Sequence, residues 1–168
     1  ADRQEPESPD PGAGHPGHFL GRDPVAAVQR RIDSGLLELD TPPDPDCLLI
    51  YELIRDELDR RGMDAWLLAP AYSHGVWTDT DLLQTIALSP ETAHRYFAVA
   101  TRKALRMIEA YLQRGIELIG VGGDMAGKRP IISPESYRTF LMPEIRKLSA
   151  RIHEGGGYSV NASDGNLW

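Results

Sequence analysis

A chain of 168 residues is the length of one ordinary domain with a single core. Its 18 basic and 25 acidic side chains leave a net charge of −7, which argues against a duplex nucleic-acid binder, whose surface is normally basic. A single cysteine excludes an intrachain disulfide and a multi-cysteine zinc ribbon, and no stretch approaches the roughly 20 apolar residues of a membrane span, so a soluble, cytoplasmic chain is expected.

Residues 1–22 read as a flexible arm. Pro6, Pro9, Pro11 and Pro16 alternate with glycines and almost no apolar side chains, so nothing offsets the entropy of ordering. His15 and His18 lie in this arm and read as solvated residues rather than as a metal pair. Residues 23–62 read as a helical segment interrupted by a proline-rich connector. A short amphipathic helix over 23–34 is followed by Thr41-Pro42-Pro43-Asp44-Pro45-Asp46, in which prolines forbid helix. Asp46 is expected to cap a helix from Cys47 to Arg61, with Leu49, Leu53 and Ile54 on its core face and Gly62 ending it. Cys47 lacks a neighbouring base, so the expectation is a buried, inert thiol.

Residues 63–168 have a different rhythm. Residues 64–69 form an apolar run stopped by Pro70, the pattern of a buried strand. An irregular stretch leads to Ser89-Pro90-Glu91, which opens a helix with a cap, a first-turn proline and an acid. Helical spacing of apolar residues then runs from Ala93 through Tyr111 to Gly115. Residues 116–121 read as a second buried strand, and Ser133-Pro134-Glu135 opens another helix that Pro143 should kink. Gly155-Gly156-Gly157 ends that helix and Tyr158 begins a third strand. Strand, helix, strand, helix, strand predicts an α/β fold built from parallel βαβ units, a piece of a larger α/β architecture.

Chemistry in such folds gathers at the C-terminal ends of the strands. The turn after the first strand brings Tyr72, His74 and Trp77 there, and His74 is a candidate acid or base near neutral pH. The loop after the second strand carries Asp124, whose carboxylate is able to orient N–H donors, stabilise a developing cation or exchange a proton. Lys128 and Arg129 in the same loop suit an anionic substrate group. The third strand delivers Asn161, Ser163 and Asp164 to this rim. The loop from Gly122 to Arg129 approaches a phosphate-binding pattern, but Arg129 stands where a magnesium-binding hydroxyl belongs and Pro130 interrupts the helix start, which argues against a nucleotide.

Gly-Gly-Asp-Met at 122–125, Ile-Ser-Pro-Glu at 132–135, Phe140 with Pro143, and Ser-Asp-Gly-Asn at 163–166 together resemble the uroporphyrinogen decarboxylase family. Pro-Asp-Pro-Asp at 43–46, Ser-Pro-Glu at 89–91 and Gly-Ile-Glu at 115–117 fall in the matching order, so the resemblance spans about residues 40 to 168. It implies a (β/α)8 TIM barrel, present here as a partial barrel of about three βα units, because a closed barrel needs about 250 residues. It also implies a tetrapyrrole or corrinoid ligand.

The resemblance implies one of two chemistries: cofactor-free decarboxylation of uroporphyrinogen, or cobalamin-linked, zinc-dependent methyl transfer to a thiol. In the decarboxylase version Asp124 sits against pyrrole N–H groups while basic residues hold the acidic side arms. Asp124, Asp164 and His74 are then the catalytic candidates. Tyr72, Met125, Lys128, Arg129, Asn161 and Ser163 are the substrate-binding candidates. Ala162 and Asp164 stand where zinc methyltransferases of the family carry His-x-Cys, so no metal ligand is expected. A partial barrel leaves strand edges and an interior face in water. That makes a homodimer an expected partner, with a non-catalytic remnant used for association as the alternative role.

Overall fold

The computed structural model describes residues 23–34, 45–71, 79–123 and 131–162. Two short helices and the first half of a long one make one packed body, and a small parallel sheet under the second half makes the other.

Helix α1 (Pro24–Asp33) starts where Asp23 accepts a hydrogen bond from the Ala26 amide at 3.1 Å and Pro24 takes the first helical position. A tight 3-10 turn over Pro45–Leu48 leads into α2 (Leu49–Arg60). Asp46 therefore lies inside this turn and does not cap α2, whose N-cap is Leu48. The expected core face of α2 is also reversed. Leu48 is buried and Tyr51 packs edge-on against Tyr111, while Leu49, Ile50, Leu53 and Ile54 lie exposed along the outer side. The same rotation leaves Cys47 exposed, not buried.

Strand β1 is only Leu68–Pro70, shorter than the apolar run that precedes it. The stretch read as irregular contains a further helix, α3 (Thr80–Leu88), capped by Asp79, which accepts from the Leu82 amide at 3.0 Å. Helix α4 (Pro90–Leu112) follows, with Pro90 at its first turn. Ser89 stands at its N-cap but makes no capping hydrogen bond to the backbone, its hydroxyl meeting that of Thr92 at 2.9 Å instead. Strand β2 is Leu118–Gly123. A continuous helical stretch then comprises α5 (Pro134–Ser136), a wide π turn over Tyr137–Leu141, and α6 (Met142–Glu154). Pro143 has no N–H to donate, and its ring would press on the carbonyl four residues back. The widened turn just before it accommodates that defect and brings both Phe140 and Leu141 into the core. Strand β3 is Tyr158–Ala162.

The sheet is parallel with order β1-β2-β3, so each strand pairs with its neighbour in sequence. Each strand is preceded by a helix that ends in the same way. Gly62, Gly115 and Gly156 adopt φ of 63°, 68° and 82°, and the next amide bonds back five residues, Met63 to Leu58, Ile116 to Tyr111 and Gly157 to Ile152. This is the Schellman closure, used three times to turn a helix into a strand. Gly157 is required twice over, since a Cβ there would stand 2.8 Å from the Glu117 carbonyl oxygen and 3.1 Å from Ile152 Cγ2.

Two hydrophobic clusters share α4. Val28, Ile32, Leu82, Ile86, Phe97, Phe140 and Leu141 join α1, α3, the first half of α4 and the π turn. Ala69, Ile108, Ile116, Ile119, Val121, Leu148 and Ile152 join the sheet to the second half of α4 and to α6. Ile145 packs against both. Among the described residues, no helix is long and apolar enough to cross a membrane.

Candidate site at the C-terminal edge of the sheet

Side chains alternate across a strand, so the buried Ala69, Ile119 and Val121 point toward the helices and their neighbours point the other way. On that other face the register aligns Leu68, Leu118 and Tyr158 at one level and Pro70, Gly120 and Val160 at the next. Leu68 is 49% exposed and Tyr158 56% exposed, so this apolar face is uncovered among the described residues. Trp66, just before β1, meets Tyr158 of β3 with ring centroids 5.2 Å apart. β1 and β3 are separated by β2, roughly two strand spacings of about 4.8 Å each. Their two rings therefore reach toward each other above the middle strand and floor the face at its N-terminal end.

The opposite end is irregular. Gly120 pairs with Val160, but Gly122 pairs with Asn161 and Gly123 with Ala162, so Val121 is the extra residue of a bulge. Bulges bend a strand and re-aim the side chains beyond them, and they recur beside functional sites. Here the bulge turns Gly122 toward Asn161. A Cβ on Gly122 would lie 2.9 Å from Asn161 Oδ1 and 3.3 Å from Ile145 Cδ1, so the absent side chain leaves the room that the Asn161 amide occupies. Asn161 is otherwise exposed at the end of β3.

The end of β1 is held from the helix side. Tyr111 Oη donates to the Pro70 carbonyl at 3.1 Å. Burial, with Tyr51 beside it, pushes the Tyr111 phenol up to about 12, so it remains a protonated donor across the whole neutral range. The sequence shows Tyr111 only as one more apolar position on a helix, since its polar partner lies 41 residues away.

Of the residues singled out from the sequence, Asn161 is at this edge, beside the Gly122 backbone. Tyr72, His74, Asp124, Met125, Lys128, Arg129, Ser163 and Asp164 lie outside the described residues, although the strands that lead to them end at Pro70, Gly123 and Ala162 of the one sheet. Among the described residues, no group of three or more His, Cys, Asp or Glu side chains is placed to hold a metal ion. Comparison with protein-family models, with curated proteins and with solved structures gives no match to this chain.

Proposed function

We propose that the chain is part of a uroporphyrinogen decarboxylase-type barrel and holds a tetrapyrrole-like substrate at the C-terminal edge of its sheet for cofactor-free decarboxylation. The observation that carries this reading is the threefold use of one unit: helix, Schellman turn, parallel strand, with neighbouring strands adjacent in sequence. That is how a β/α barrel is built, strand by strand, with its helices outside and its apolar strand face inside. The face of Leu68, Leu118 and Val160, floored by Trp66 and Tyr158, suits the apolar pyrrole faces of a macrocycle whose carboxylates lie at its rim.

In this reading decarboxylation begins with protonation of a pyrrole carbon. Asp124 lies against the pyrrole N–H groups and stabilises the cation while carbon dioxide leaves the side arm and its bonding electrons neutralise the ring. A proton then caps the exocyclic carbon and the ring carbon gives its proton back, restoring the pyrrole. Lys128 and Arg129 hold carboxylate side arms. Anaerobic incubation with uroporphyrinogen, followed by separation of products by carboxylate number, tests the reading. Products with fewer carboxylates support it, and their loss in Asp124→Asn with an unchanged melt assigns the carboxylate to chemistry. Unchanged substrate with the wild-type chain overturns it.

One observation favours a second reading, a non-catalytic barrel remnant used for association. Among the described residues Leu68, Trp66 and Tyr158 lie exposed on the sheet face away from the helices, and parallel sheets are normally covered on both sides. An inactive chain that assembles through Leu68, Trp66 and Tyr158 would support it. Methyl transfer, the other chemistry of the family, would be favoured by one equivalent of zinc in elemental analysis.

A further inference from the structure

A trans peptide points its C=O and its N–H in opposite directions. At the C-terminal end of β1 both poles of one peptide, Pro70–Ala71, are bonded. Its N–H, from Ala71, donates to the Gly120 carbonyl of β2 at 2.7 Å. Its C=O, from Pro70, therefore points away from β2, off the outer side of the end strand, and there accepts from Tyr111 Oη at 3.1 Å. Two elements, β2 and α4, thus fix the plane of this peptide between them.

Packing alone does not account for the hydroxyl. Tyr111 is 3% exposed, and its ring meets Tyr51 of α2 edge-on with centroids 5.6 Å apart. Phenylalanine would fill that space as well, and a buried hydroxyl costs free energy unless it is bonded. Pro70 has no N–H, so its carbonyl is the one polar backbone group it brings to the edge, and proline belongs on such an end strand. Tyr111 takes that group. The bond runs from the last turn of α4 to the last residue of β1, 41 positions apart in sequence.

We propose that Tyr111 is a positioning residue: its hydroxyl sets the Pro70–Ala71 peptide, and with it the direction in which β1 leaves the sheet toward the ligand edge. Only the ligand part of this rests on the decarboxylase reading. The clamp stands on its two bonds. Without the hydroxyl the peptide keeps its bond to Gly120 and loses the outer one. A ligand then has to order what the fold otherwise holds ready.

Tyr111→Phe in the full chain tests it, with Ile86→Val in the helical cluster as a control of similar cost to stability. Two quantities are measured: amide exchange resolved by residue, and the affinity for an octacarboxylate porphyrin from an absorbance titration. In Tyr111→Phe the Ala71 amide should exchange about fivefold faster and the porphyrin should bind about threefold more weakly. Ile86→Val should leave both as they are in the wild type. Ala71 exchange that is unchanged in Tyr111→Phe, or raised equally by Ile86→Val, would overturn the proposal, as would a porphyrin bound equally well by the wild type and Tyr111→Phe. A wild-type chain that binds no porphyrin sinks the decarboxylase reading instead, and faster exchange at Ala71 alone then upholds the positioning role.

Discussion

The helical body and the sheet of this molecule each carry an apolar cluster but finish it differently. Around Phe97, four elements close on one another: α1, α3 and α4 in mutual contact, with Phe140 and Leu141 of the π turn filling the remaining side. Polar links seal the edge. Asp79 caps α3 and also accepts from Arg31 of α1 at 2.6 and 3.2 Å, while the Arg31 guanidinium lies 5.2 Å above the Tyr96 ring. The sheet has helices on one side and, among the described residues, the exposed side chains of Leu68, Trp66 and Tyr158 on the other. A body that is closed on all sides stores stability. A sheet closed on one side keeps a surface for something else, and its cost is that Leu68, Trp66 and Tyr158 contribute little to folding.

That contrast is breakable by substitution. Phe97→Ala removes a fully buried ring and should cost about 3–5 kcal/mol, seen as a large fall in the denaturant midpoint. Asp79→Ala loses a cap and a charged hydrogen bond between helices, about 2 kcal/mol together, and Asp79→Asn should recover the capping part of it. Gly157→Ala drives a Cβ into the Glu117 carbonyl oxygen and should cost about 1–3 kcal/mol, because backbone atoms must move.

Tyr111→Phe should cost about 1 kcal/mol through the lost bond to the Pro70 carbonyl. It also carries a pH signature. The folded phenol titrates near 12 and the unfolded one near its ordinary value of 10.0, so the folded state holds its proton longer. Stability from this group is full below pH 10 and is lost as pH rises toward 12, and a melt series over that window should fall in wild type more than in Tyr111→Phe. The smallest effect belongs to the bare face. Leu68→Ser should shift stability by no more than about 0.5 kcal/mol, and a large loss there would mean the face is covered in solution.

Much of the fold is legible in the residues. Ser133-Pro134 announces a helix start, the glycines after α2, α4 and α6 announce turns, and β2 and β3 begin within two residues of the expected positions. What is not legible depends on a partner element. The periodicity of Leu49, Leu53 and Ile54 says that α2 has an apolar side but not that the body lies on the other side. The run over residues 64–69 says strand, but a continuous apolar run reads the same whether one face or both are covered, and only its end joins the ladder. Helix α3 escapes notice because its nine residues offer a short stripe, although Asp79 carries the capping signal. Pro143 marks a defect without saying that a π turn will absorb it. At the site, Asn161 is legible as the end of a strand, whereas its fit against Gly122 follows from a bulge that no local pattern specifies.

The central claim is that the working surface is the bare face and C-terminal edge of the sheet, while the helical body is support. Hydrogen exchange followed by mass spectrometry, with and without an octacarboxylate porphyrin, tests it directly. The account predicts slower exchange on ligand addition at 68–71, 118–123 and 158–162, with amides of α1 and α3 unchanged. Protection confined to α1 and α3, or no change anywhere, would contradict it.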